Sequence, residues 1–230
     1  MTPPIVMTAA DTWLGTLWPW VRSHLPAAPA RVVEIGCGPR GGFVPMLNAA
    51  GYEAVGVDPE APGEPGFHRT DFELYVVRRP VDAIIACTSL HHVADLDDVA
   101  DRMAAALVPG GALIVVEWAV ELFDEPTARW CFDRLSDVDD ETNWLQRHRE
   151  AWWNSGGPWD FYLGRWAREN GIHTAKAIQH ALDTRFQALQ VTPEPYFFAE
   201  LDGTTYTDEQ AAIDTGEIRA TGIRYVARYV

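Results

Sequence analysis

Arg31-Val32-Val33-Glu34-Ile35-Gly36-Cys37-Gly38-Pro39-Arg40-Gly41-Gly42 is the stretch that decides the fold. A short β-branched run stops at glycines, the pattern of a buried strand running into a tight turn. Gly36, Gly38 and Gly41 follow G-x-G-x-x-G, and a helix is expected over residues 41–50, with Pro45 in its first turn and Gly51 at its C-terminal cap. Residues 53–58, EAVGVD, read as a second strand ending in Asp58, where a carboxylate can accept both hydroxyls of a ribose. Residues 81–87, VDAIIAC, make a further strand. Leu96, Val99, Ala100, Met103 and Leu107 then recur at helical spacing after Asp95, a suitable N-cap. Pro109-Gly110-Gly111 stops that helix before the strand ALIVVEW, residues 112–118. Strands separated by helices imply right-handed crossovers and an α/β fold with a parallel sheet covered on both faces. Ligands of such sheets bind beyond the carboxyl ends of the strands.

On the N-terminal side, residues 11–25 look helical, with Trp13, Leu17, Trp20 and Leu25 along one side and Pro19 expected to kink or interrupt the run. On the C-terminal side, residues 119–190 exceed what one crossover needs and hold six of the ten tryptophans. Trp144, His148 and Trp152 form one helical stripe, Ser155-Gly156-Gly157-Pro158 breaks it, and Phe161, Tyr162 and Trp166 follow. Two readings stand side by side: a satellite core over one end of the sheet, or an aromatic-lined cap over a small-molecule pocket. A helix is expected over 174–186, with Ala175, Ile178, Leu182 and Phe186 inward. A strand is expected within 187–198, a helix near 207–215, and a long final strand from about residue 217. Tyr196 and Glu209 are candidates to face the pocket.

The 230 residues carry 18 basic and 33 acidic side chains, a formal charge of -15 that opposes binding to nucleic acid. No apolar run reaches the ~18 residues of a membrane span, and the opening MTPPIVMTAADTW lacks the pattern of a secretory leader. Cys37, Cys87 and Cys131 have no metal-ligand spacing and read as reduced thiols of a cytoplasmic protein. His173 and His180, seven apart on an expected helix, are too distant for the i,i+4 pair of a zinc helix, so no metal is expected.

Two nucleoside-cofactor classes share the strand, glycine loop, helix and acid. Dinucleotide enzymes set a pyrophosphate over the helix N-terminus. Glu34, two residues before the first glycine, is unfavourable to that anion and favourable to a ligand carrying an ammonium and a sulfonium. The chain here resembles the class I S-adenosylmethionine-dependent methyltransferases, especially the small-molecule group with E/D-x-G-x-G. The resemblance covers roughly residues 31–118, through VVEIGCG, AVGVDPE, Asp71, VDAIIACTSLHHV and LVPGGALIVVEW.

The resemblance implies a Rossmann-like, seven-stranded, mostly parallel sheet ending in an antiparallel sixth and seventh strand. Glu34, Gly36, Cys37 and Gly38 would surround the methionine part of S-adenosylmethionine. Asp58 would bind the ribose, with Pro59 beside the adenine. Asp71 would accept from the adenine amino group near the Phe72 backbone, and the Thr88 carbonyl would meet the ammonium. Arg40 is read as solvated rather than as a partner of the cofactor carboxylate. His91 and His92 lie where the methyl group should sit. One is a candidate general base, with structural packing as the other reading. They are expected to point in different directions, so that at most one reaches substrate.

The expectation is a single domain over residues 1–230: a cofactor-binding core at 31–118, an inserted helical cap at about 119–186, and C-terminal strands at 187–230. Its function would be methyl transfer from S-adenosylmethionine to an oxygen or nitrogen atom of a small molecule, without nucleic acid or membrane as partner. A non-catalytic S-adenosylmethionine-binding protein and an NAD(P)-dependent oxidoreductase are the alternatives. The latter lacks a Tyr-x-x-x-Lys pair, since Ile172 stands four residues before Lys176, the sole lysine.

Overall fold

The computed structural model describes residues 8–136 and 143–230, so residues 137–142 of the expected cap lie outside the described residues. One sheet is built from β1 (Arg31–Ile35), β2 (Glu53–Asp58), β3 (Phe67–Arg69), β4 (Val81–Cys87), β5 (Leu107–Trp118), β6 (Phe186–Glu194) and β7 (Gly222–Tyr229). Its order is β3-β2-β1-β4-β5-β7-β6. The first five strands pair in parallel, while β7 pairs antiparallel with both β5 and β6. The helices are α1 (Ala9–His24), α2 (Val44–Ala49), α3 (Leu96–Ala106), α4 (Glu125–Phe132), α5 (Trp144–Ser155), α6 (Trp159–Glu169), α7 (Ala175–Asp183) and α8 (Tyr206–Asp214).

The period-two alternation of the strands sends apolar side chains to two buried faces. Val32, Ala83, Ile85, Ile114 and Val116 pack beneath Leu17 and Val21 of α1 and Leu47 of α2. Val33, Ile84, Ala86, Leu113 and Val115 pack beneath Val99 and Met103 of α3 and Ile178 and Leu182 of α7. A third apolar cluster, led by Trp118, Phe123, Trp152, Trp159 and Phe197, sits where α4, α5 and α6 meet the carboxyl end of β5.

Several boundaries differ from expectation for local reasons. Helix α1 continues through Pro19, held by a Thr8–Asp11 capping box at its start and by buried Leu17 and Val21 on its inner face. Helix α2 starts only at Val44, because Gly41 and Gly42 adopt left-handed φ values of 86° and 54°. Strand β5 already begins at Leu107 and carries the Pro-Gly-Gly segment, with a register irregularity against β4. Helix α7 ends at Asp183, so Phe186 is buried as the first residue of β6. His173 precedes α7 rather than sharing a face with His180: its backbone N–H donates to the His91 carbonyl, and its Nε2 contacts the Val93 carbonyl at 2.8 Å. The final strand is shorter than its alternation suggests and spans Gly222–Tyr229.

Candidate active site

The parallel strands β1, β2, β4 and β5 end along one edge at Ile35, Asp58, Cys87 and Trp118. The glycine loop leaves that edge with Gly36 and Gly38 at left-handed φ values of 79° and 63°. A Cβ on Gly36 would overlap the Ser89 side chain, whose hydroxyl donates to the Ile35 carbonyl at 3.1 Å. A Cβ on Gly38 would meet nothing within 4 Å, so the loop backbone stands open there. The chain turns out of β4 through Thr88, a β-branched residue at a φ of 51°. Such a conformation costs of order 1–3 kcal/mol and persists only where its surroundings enforce it.

Glu34 is not exposed to solvent in front of the loop but buried behind it. Its carboxylate accepts from the Phe43 N–H at 2.8 Å and the Val44 N–H at 3.1 Å, occupying the donors that open α2. Burial pushes its pKa up to about 8 against the pull of those donors. The two leading N–H groups at the start of α2 are thus taken up from within the protein by an acid, an arrangement unfavourable to a pyrophosphate at that place. Asp58 Oδ2 accepts from the Gly38 N–H at 3.0 Å and Oδ1 from the Glu60 N–H at 2.7 Å. Each oxygen keeps lone-pair capacity for a further donor. The Cys37 thiol packs against Gly56, and burial raises its pKa to about 12, so it fills space rather than reacting.

Three cavities open along the edge and share Thr88 in their walls. The first, about 500 Å³, is walled by Gly36, Asp58, Pro59, Asp71 and Phe72. The second, about 370 Å³, lies between the glycine loop and Trp13 and Leu14 of α1, and reaches Glu34, Cys37 and Gly38. The third, about 580 Å³, is lined by Trp118, Trp144, Trp166 and Tyr196 together with His91, His92 and His148. All nine cofactor-binding candidates therefore border the first two cavities, and both histidine candidates border the third. Arg40 is exposed, as expected, and in addition pairs with Asp11 at 2.8 Å, tying the loop to α1.

The histidines do not diverge. Their rings lie 4.1 Å apart, centroid to centroid, and line the same cavity. His91 is buried, and its Nδ1 lies 2.6 Å from Glu117 Oε2. The other oxygen of Glu117 accepts from the Ser89 and Leu90 N–H groups at 2.7 and 2.5 Å. Those two donors mark Glu117 as an acceptor, so His91 donates to it from Nδ1, which leaves Nε2 as the lone-pair nitrogen whenever the ring is neutral. His92 borders the first and third cavities, and burial lowers its pKa. Glu117 was missed from sequence, although a lone acid ending the apolar run ALIVVEW signals a buried group that needs partners.

Glu209 proves to be a brace rather than a pocket wall. It is buried and accepts from the Tyr196, Phe197 and Phe198 N–H groups, which aims Tyr196 into the third cavity. Glu194 is buried in contact with Arg224. Burial raises Glu34 and Glu194 to about 8 and Glu209 to about 7. In the unfolded chain these groups release their protons near 4.5, so above that pH the unfolded state binds fewer protons and stability falls as pH rises. His148, lowered to about 4, acts in the opposite sense only below about 6.5. The thermal midpoint is therefore expected to drop between about pH 6.5 and 8, and calorimetric scans at constant ionic strength would detect a flat or rising profile.

Among the described residues, no cluster of acids, histidines or cysteines has the makings of a metal site. No helix among them is long and apolar enough to cross a membrane.

With this geometry in place, the methyltransferase domain family matches residues 13–189. The chain belongs to that family and has the fold of the class I S-adenosylmethionine-dependent methyltransferases. Solved structures with the same fold include an S-adenosylmethionine-dependent methyltransferase from Mesorhizobium loti, 20% identical with a TM-score of 0.56 over 92% of this chain and 97% of that one. The N-methyltransferase NodS from Bradyrhizobium japonicum, in complex with S-adenosyl-L-homocysteine, is 15% identical with a TM-score of 0.53 over 96% and 88%. The geranyl diphosphate C-methyltransferase from Streptomyces coelicolor is 14% identical with a TM-score of 0.53 over 94% and 76%. No match was found among curated proteins. The family match leaves the oxidoreductase alternative without support.

Proposed function

We propose that this chain transfers a methyl group from S-adenosylmethionine to an oxygen or nitrogen atom of a small molecule held in the aromatic cavity. The observation that carries the reading is the meeting of three cavities at Thr88: two bordered by the glycine loop and the acids, one by aromatic rings and histidines. The residues fit the cofactor chemically. Asp58, fixed by the Gly38 and Glu60 N–H groups, offers its remaining lone pairs to ribose hydroxyls. Pro59, Asp71 and Phe72 give the first cavity an apolar wall with one acceptor for an adenine. Gly36, Cys37 and Gly38 line the cavity toward α1 for the methionine part, with Glu34 behind them and the Thr88 carbonyl as acceptor for the ammonium. When bound, S-adenosylmethionine supplies a methyl group made electrophilic by its sulfonium.

The chain's own part is to orient and to dry. Pre-oriented reactants avoid an entropy cost worth several kcal/mol of barrier, so no covalent enzyme intermediate is required. Trp118, Trp144, Trp166 and Tyr196 exclude water around the acceptor. His91 or His92 takes the proton that a hydroxyl acceptor must lose, and the lone pair at His91 Nε2 makes it suited to that role.

Asp58→Ala is expected to weaken S-adenosylhomocysteine binding by about 1–3 kcal/mol, the scale of lost charge-assisted hydrogen bonds. Titration calorimetry with S-adenosylhomocysteine, NAD and NADP on both proteins checks this. Unchanged affinity in the variant would remove Asp58 from the site, and tight binding of a dinucleotide would overturn the cofactor assignment. Binding of S-adenosylhomocysteine without turnover of any acceptor would favour the non-catalytic reading.

A further inference from the structure

The cap contains a polar pair that methyl transfer as argued above does not use. Asn143 caps α5 through the Leu145 and Gln146 N–H groups, which sets the helix so that Trp144 and His148, one turn apart, face the same way. His148 is buried, 6% exposed, among aromatic rings, with Trp166 packed edge-on at 4.5 Å. Its Nδ1 lies 2.9 Å from the Tyr162 hydroxyl of α6. Its Nε2 makes no hydrogen bond among the described residues, yet the ring lines the aromatic cavity. Burial and the neighbouring Arg147 hold the imidazole neutral, with a pKa of about 4. With the proton on Nδ1 and donated to the Tyr162 oxygen, the neutral ring presents an acceptor at Nε2; in the opposite tautomer Tyr162 donates and Nε2 carries an N–H.

The rest of the wall narrows the ligand class. Among the described residues the lining contains aromatic rings but no carboxylate, and its one charged side chain is Arg147. A cationic acceptor would meet no counter-charge among the described residues of that wall, which favours a neutral one. A cavity of about 580 Å³ lies within the range of small-molecule pockets and has room for an aromatic ring.

We infer that His148, steadied by Tyr162, is the positioning residue of the acceptor site, and that it receives a hydrogen bond from the hydroxyl of a neutral, flat phenolic acceptor. The inference rests on the methyl-transfer reading of the same site. Its role is to hold and align the hydroxyl in the bound acceptor; the single proton of that hydroxyl leaves to His91 or His92 only after the O–H has turned away from His148.

The three tryptophans in the wall provide a readout independent of turnover. Fluorescence titration of the protein saturated with S-adenosylhomocysteine would use 4-methylphenol, its methyl ether and benzylamine as probes. The phenol is expected to bind at least ten-fold more tightly than the ether, with the protonated amine weakest. His148→Phe keeps a ring of similar size and should erase the preference for phenol over ether without moving S-adenosylhomocysteine affinity. His148→Gln, which restores an acceptor, should recover much of the preference, and Tyr162→Phe should reduce it several-fold. Equal binding of phenol and ether by the unmodified protein, preference for the amine, or a preference that survives His148→Phe would each overturn the assignment. Failure of the unmodified protein to bind S-adenosylhomocysteine would overturn the cofactor reading instead, a separate result visible before any phenol is added.

Discussion

Glu117→Ala is expected to destabilise the fold by about 3–5 kcal/mol and to abolish methyl transfer, because it strips a buried carboxylate from several donors at once. The wild-type side chain is fully buried and accepts from the Ser89 and Leu90 N–H groups, from His91 Nδ1 and, more weakly, from its neighbour Trp118 N–H at 3.3 Å. Alanine leaves these groups without partners and with no water to replace them. The turn after β4 then loses its anchor, and Thr88, His91 and His92 move with it. Glu117→Gln separates the two effects. The amide oxygen still serves the two backbone donors, but the amide nitrogen now faces His91 Nδ1. The pair reforms only if His91 moves its proton to Nε2, which removes the lone pair there. Stability should therefore fall little while turnover with a hydroxyl acceptor falls strongly. Denaturant titration together with kcat measurements would reveal the split, and equal losses in both would assign Glu117 a purely structural role.

Gly36→Ala is expected to be nearly as severe for a different reason. The added methyl must enter the space held by Ser89, and alanine must hold a φ of 79°. The left-handed conformation costs ~1–2 kcal/mol for a residue with a Cβ, and overpacking adds ~1–3 kcal/mol. Relief by displacing Ser89 would break its bond to the Ile35 carbonyl and alter the wall of the cavity it lines beside the glycine loop. S-adenosylhomocysteine binding measured by calorimetry should be lost even at temperatures where circular dichroism shows the sheet intact. Retained binding would mean that the loop relaxes more readily than its packing suggests. Gly38→Ala supplies the comparison: the added Cβ meets no protein atom, so strain at its φ of 63° acts without a clash inside the fold.

The two residues also show what a sequence can and cannot convey. Gly36 was legible because its chemistry is local: strand, glycine spacing and helix lie within a dozen residues, and the parallel sheet follows from their repetition. Asp58, at the end of its own strand, was legible for the same reason. Glu117 was not, because its partners stand 26 to 28 residues earlier in the chain and meet it only through the β4–β5 register. Arg40 was read as solvated and is exposed, but its pairing with Asp11 was not visible, since that partner comes from a helix 29 residues away. Glu34 was placed in the right turn and borders the cavity there, but its bonds to the Phe43 and Val44 N–H groups were not foreseen, as nothing in the local pattern says that an acid also caps the next helix. The aromatic stripe of α5 was visible as a period, but the pairing of His148 with Tyr162 depends on how α5 and α6 pack.

Thr88 carries a further consequence. A threonine at a φ of 51° makes the fold less stable than a glycine at the same place would. Among the described residues, this strain sits at the one that borders all three cavities along the sheet edge. Thermostability and precision are therefore opposed at this position: glycine would ease the backbone but let the junction wander. The branched side chain keeps two compartments in fixed relation, and the whole molecule bears the cost whether or not either compartment is filled.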